Sequence, residues 1–243
     1  MTNTGGEFET AWHAAPEAVR RVLSRAYEAL TAGGLAVGAV LTDPAGTVLA
    51  EGRNEAYEEP GTGGPGTGPL RGTPLAHAEM NALGAARTGW NLDATTLWST
   101  QEPCAMCAAA ARFCGVGAVR HLAPDPWALA TVPAGSSPGS PDSPVSSGSG
   151  DFVDFGAAPA AGTLWLLAAN VMFLRSVVAA ATGPGEPEIL RHHRGAEPET
   201  AALHDTVPPG LPRNDPVEEW LTRLWPALTE AARNREGRLG RPR

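Results

Sequence analysis

Lysine is absent from the 243 residues: all 18 basic residues are arginine, set against 26 acidic ones, for a net charge of −8. Whole-chain electrostatics therefore give no help in gathering a polyanion. Isoleucine occurs once, at Ile189, a bias that fits GC-rich coding better than any physical demand. Cysteine is scarce, with only Cys104, Cys107 and Cys114. Three thiols, two of them three residues apart, do not make a disulfide framework and fit a reducing compartment. The opening MTNTGGEFETAWHAA has no basic stretch leading into an apolar core, so a cytoplasmic location is expected. Glycine (29) and proline (23) are plentiful and clustered, which points to long loops. The hydrophobic share of 42 % suffices for one good core and a small second one.

Residues 1–10 are polar and are expected to fray. From Pro16 to Ala32, Val19, Val22, Leu23, Ala26 and Leu30 recur at helical spacing, and Gly33-Gly34 stops the run. Val37–Leu41 and Thr47–Glu51 read as two strands around an Asp43–Gly46 turn. A Gly/Pro-rich loop, 55–75, leads into a helix over 76–86. Thr95–Ser99 reads as a strand, Pro103 opens a further helix, and 116–122 returns as a strand. Residues 133–150 are low in complexity and too poor in apolar groups to order themselves. Thr163–Ala181 is strongly apolar, but Asn170 and Arg175 interrupt it, which favours a buried helix over a membrane span. Residues 183–215, including the His192-His193 pair, read as solvated loop, and Val217–Arg235 as an amphipathic helix.

Chemistry concentrates between His77 and Cys114. His77-Ala78-Glu79 is followed by Pro103-Cys104-Ala105-Met106-Cys107. One imidazole and two thiolates suit Zn²⁺, and three protein ligands leave a fourth position for water, as catalytic zinc requires. Glu79, two residues beyond the imidazole, is placed to carry a proton beside the metal. A structural zinc knot or a redox Cys pair would explain the thiols but not the upstream His-Ala-Glu. Cys114 reads as a buried small hydrophobe, His121 as a packed strand residue, and Asn54 as a turn residue capping its own backbone.

These residues resemble the zinc-dependent cytidine/deoxycytidylate deaminase superfamily. HAEMNAL and EPCAMC are most similar to its branch of tRNA adenosine, guanine and cytosine deaminases, over roughly Ala11 to Pro124. The resemblance implies a three-layer α/β/α sandwich with a central mixed sheet. It implies one Zn²⁺ per chain on His77, Cys104 and Cys107, with Glu79 as catalytic acid/base. Substrate contacts at Asn54, Ala78 and Pro103, and a homodimer, come from the same source. The expected organisation is a deaminase core over 1–130, a linker or insertion over 131–155 and a helical extension over 156–243. Gln101 stands where such relatives commonly carry Leu. The implied activity is hydrolysis at the C–N bond of a cyclic amidine, turning an amino-bearing nucleobase or nucleoside into its oxo form and ammonia, with no membrane partner. Adenosine-to-inosine conversion in tRNA ranks second, since Arg53, Arg71 and Arg112 are the only basic residues expected near the rim. A non-catalytic zinc-binding interaction module ranks third.

Overall fold

The computed structural model describes residues 4–59, 67–125, 152–154, 160–207 and 215–240. Most of the span read as a linker, and the centre of the Gly/Pro-rich loop, lie outside them.

Helix α2 (Glu17–Thr31) forms where the apolar spacing predicts it. It buries Val19, Val22, Leu23, Ala26 and Leu30, and ends at Gly33, whose φ of 84° is the left-handed conformation that glycine adopts freely. The chain then enters β1 (Gly38–Thr42) and turns back through β2 (Val48–Arg53). The Asp43 side chain accepts from the Thr47 amide at 2.8 Å and closes the turn between them. β3 (Thr96–Gln101), β4 (Ala118–Ala123) and β5 (Phe152–Asp154) complete a sheet of order β2-β1-β3-β4-β5. β1 runs antiparallel to β2 and β3, whereas β3, β4 and β5 are mutually parallel, so the sheet is mixed.

One face of the sheet, through Leu41, Leu97 and Val119, packs on α3 (Ala78–Gly84) and α4 (Ala105–Phe113). The other face, through Val40, Trp98 and Leu122, packs on α2 and α5 (Ala160–Ala180). This is the three-layer sandwich with extra C-terminal helices that the sequence implies. Between Gly162 and Ala180, 72 % of the apolar stretch of α5 is buried against the rest of the protein, the setting of a core helix.

Several expectations need correction. Residues 4–14 do not fray: they form α1 (Thr4–Ala14), because Phe8 and Trp12 stack on each other and reach Trp225 and Trp165 respectively. The span 183–215 is not simply loop. It holds α6 (Glu188–Ala196) and α7 (Pro198–Thr206), and His193 is fully buried rather than solvated. Here burial of Leu190, Ala201 and Leu203 overrides a proline-rich composition. Cys114 is exposed, since it caps the outer end of α4. The last helix, α8 (Val217–Leu239), is the amphipathic one expected, and it shares a core with α1, α2 and α5.

Candidate metal centre and its carboxylate

His77 and Cys104 play the same local part. Each is the extended residue just before a helix, His77 at φ −68°, ψ 154° before α3 and Cys104 at φ −62°, ψ 166° before α4. Both were expected inside their helices; instead each projects from the cap position, and Cys107 follows from the first turn of α4. The strands set these helix starts. β3 delivers Pro103 and Cys104, while α3 sits tightly on β2: a Cβ on Gly52 would lie 2.4 Å from the Ala78 carbonyl oxygen. Only glycine allows that approach.

His77 Nδ1, Cys104 Sγ and Cys107 Sγ form a triangle with all three edges 3.6 Å. Zinc bound tetrahedrally at its usual bond lengths separates its sulfur and nitrogen ligands by about 3.6–3.8 Å. The donor set and spacing therefore fit Zn²⁺. Among the described residues this is the only group of three or more His, Cys, Asp or Glu whose ligand atoms converge within 4.8 Å of one another. Without metal, hydrogen bonds from Cys107 and His77 lower the Cys104 thiol to about 4, while that thiolate beside it and burial push Cys107 up. A cation here displaces the thiol protons that remain.

Glu79 is 3 % exposed, and its Oε1 accepts from Ser99 Oγ at 2.8 Å. Burial raises its carboxyl above the ordinary range, against the pull of that hydrogen bond. Ala78, the first residue of α3, is buried, and Pro103 is buried directly before Cys104. Asn54 is buried too; its Oδ1 accepts from the Ala56 amide at 3.2 Å, the self-capping turn.

Sequence reasoning missed two groups. Ser99 holds Glu79, and its signal was a polar residue in the row Leu97-Ser99-Gln101 of a buried strand. Glu55, fully buried, accepts from the Gly68 amide at 2.6 Å and from Asn81 Nδ2 at 3.1 Å. It thereby ties the loop that leads to His77 onto α3. Nothing in the run EAYEEP distinguishes it from its acidic neighbours.

The description "Cytidine and deoxycytidylate deaminase zinc-binding region" matches residues 13–122, a span that contains the whole triangle and Glu79. This region belongs to that deaminase superfamily. No curated protein matches the chain. Among solved structures, one from work on A-to-I editing by tRNA A34 deaminases is 24 % identical over 56 % of this chain and 95 % of its own, with a TM-score of 0.41. Guanine deaminase from Bacillus subtilis is 29 % identical over 46 % of this chain and 66 % of its own, at 0.37. Guanine deaminase from Nitrosomonas europaea is 25 % identical over 51 % and 70 %, at 0.38. These overlaps are partial, and the geometry of the superfamily region itself carries the reading that follows.

Proposed function

We propose that this protein is a zinc-dependent hydrolytic deaminase of an amino-bearing nucleobase or nucleoside. The observation that carries the reading is the 3.6 Å triangle of His77, Cys104 and Cys107 with the buried Glu79 two residues from the imidazole. Three such ligands hold zinc and leave a coordination position for a non-protein ligand. When bound, the metal supplies a Lewis acid that makes water nucleophilic near neutral pH. Glu79 accepts a proton from the attacking water and delivers protons to the ring nitrogen and the departing ammonia. Ser99 fixes one carboxylate oxygen, so the proton is carried on the other. A carboxyl whose affinity for protons is raised by burial suits both directions of that transfer.

The alternative of a purely structural zinc site is disfavoured by the same carboxylate. A structural centre has no use for a buried acid beside it, and burying one is costly. The resemblance also implies a homodimer, and Phe113, 94 % exposed at the end of α4, is our proposed contact; sedimentation of Phe113→Asp as a monomer would support it.

The test is ammonia release by zinc-loaded protein from guanine, adenine, cytosine, their nucleosides and a tRNA anticodon stem-loop, with Glu79→Ala as the blank. Release from at least one substrate, abolished in the blank, is expected. Release that persists in the blank would remove Glu79 from the mechanism, and release from none would remove the reaction.

A further inference from the structure

Gln101 closes β3, two residues beyond Ser99 and three before Cys104. Alternate residues of a strand share a face, so Gln101 stands one step along from the hydroxyl that holds Glu79. Its Nε2 donates to Asn170 Oδ1 of α5 at 3.1 Å. Gln101 is 4 % exposed and Asn170 not at all. The other half of each amide, Gln101 Oε1 and Asn170 Nδ2, is buried without a hydrogen-bond partner in the protein. A buried polar atom left unpaired is costly, and native proteins keep few of them. Reversing both amides changes nothing essential, since one donor and one acceptor still stand side by side.

The adjoining part of α5 has the same character. Phe173, one turn along α5 from Asn170, packs in the cluster that contains Ala78 and Ala82 of α3. Its ring lies 6.3 Å from that of His193, whose Nδ1 is engaged by the Ile189 carbonyl at 3.0 Å and whose Nε2 is buried without a partner. An aromatic face flanked by unpaired polar atoms is how a site holds a flat heterocycle by its edge.

We propose that Gln101 and Asn170 are specificity residues that read an amide-type edge of the substrate, an N–H beside a carbonyl, on the ring whose amino-bearing carbon faces Glu79. The inference rests on the deaminase reading above and narrows its substrate class. Guanine presents such an edge at N1–H and the C6 carbonyl, next to its amino-bearing carbon, and free cytosine at N1–H and the C2 carbonyl, across the ring from its own. Adenosine within a polynucleotide does not: apart from its amino group its base edge offers only acceptors, so one atom of the pair would stay unmatched. The pair therefore selects against a tRNA adenosine.

The experiment is calorimetric binding of guanine and 1-methylguanine, and of cytosine and 1-methylcytosine, to the zinc-loaded full chain. The methyl group caps the N–H in question. Wild type is expected to bind at least one parent base roughly tenfold or more tighter than its methylated form, the value of one buried hydrogen bond. Gln101→Leu and Asn170→Leu are expected to shrink that ratio to within about threefold, with zinc content and helicity unchanged. Equal binding of parent and methylated bases by wild type, or failure to bind either pair, overturns the proposal without any need of the variants. A ratio that survives both substitutions overturns it as well. Ammonia release with no such ratio would sink only this edge reading, whereas an intact ratio without ammonia release would sink only the reaction.

Discussion

At the level of single residues, the proposed function divides the centre into metal ligands, a proton carrier and its support. Cys104 and Cys107 contribute the two sulfur corners of the triangle, so Cys107→Ser is expected to lose most bound zinc on dialysis, read by metal analysis. Ser99→Ala removes the 2.8 Å hydrogen bond to Glu79 but no ligand. Its expected signature is a fall in kcat of about tenfold, the worth of one such bond, with zinc content unchanged. A loss of zinc in that variant would show that Ser99 supports the metal site rather than the carboxylate. The convergence of His77, Cys104 and Cys107 was legible in the sequence because it is written in short spacings, His-x-Glu and Cys-x-x-Cys. Ser99, Glu55 and the Gln101–Asn170 pair were not, because each acts across 20 or more residues of chain and only the sheet and its helices bring the partners together.

At the scale of elements the legible parts are those with a clean period. The amphipathic stripes of α2 and α8 follow from local rules. The places where local reading failed are those where packing overrides it. Residues 4–14 look like a loose end, yet Phe8 and Trp12 join Trp165 and Trp225 in one aromatic cluster beneath α1. Trp225→Ala is therefore expected to destabilise the fold by about 3–5 kcal/mol, the usual result of emptying an aromatic core site. In thermal melts this should lower Tm by roughly 10 °C. A melt within a degree or two of wild type would mean that α1 and α8 add little to the core.

A second element-scale prediction concerns the join between α2 and β2. Arg21 and Arg25 of α2 both pair with Glu51 of β2. Burial alone would raise the Glu51 carboxyl, but hydrogen bonds from Arg25 and Arg21 outweigh it and hold the group below its ordinary range. A carboxyl depressed in the folded state stabilises the protein above its unfolded pKa of about 4.3, and that contribution disappears as the pH falls through the folded value. Urea midpoints are expected to drop with acidification below about pH 4.3, and Glu51→Gln should lose part of that dependence. An identical acid limb in the variant would exclude this join as a source of pH sensitivity.

At the scale of the whole molecule, the C-terminal helices form part of the body that holds the site. α5 and α8 enter the same core as α1 and α2, and α5 brings Asn170 to the strand end that leads into Cys104. Arg235 of α8 is fastened to Glu197, between α6 and α7, by two hydrogen bonds of 2.7 Å, both side chains buried. Breaking a buried pair from one side strands the other charge, so this clasp keeps the outer helices in register with the core. In the sequence α5 and α8 stand as separate helical segments and α6 and α7 read as loop; that all four close over the deaminase region depends on contacts between residues far apart in the chain.

The proposed function turns on His77, Cys104 and Cys107 holding one zinc beside a proton-carrying Glu79. The most direct measurement counts zinc per chain and ammonia released, side by side, for wild type, Glu79→Gln and Cys107→Ser on the best substrate of the base panel. Wild type is expected to hold one zinc and turn over. Glu79→Gln should keep one zinc and lose about 10²–10⁴-fold or more of its turnover, and Cys107→Ser should keep little of either. Turnover close to wild type in Glu79→Gln would remove the carboxylate from the reaction, and turnover in Cys107→Ser without zinc would remove the metal.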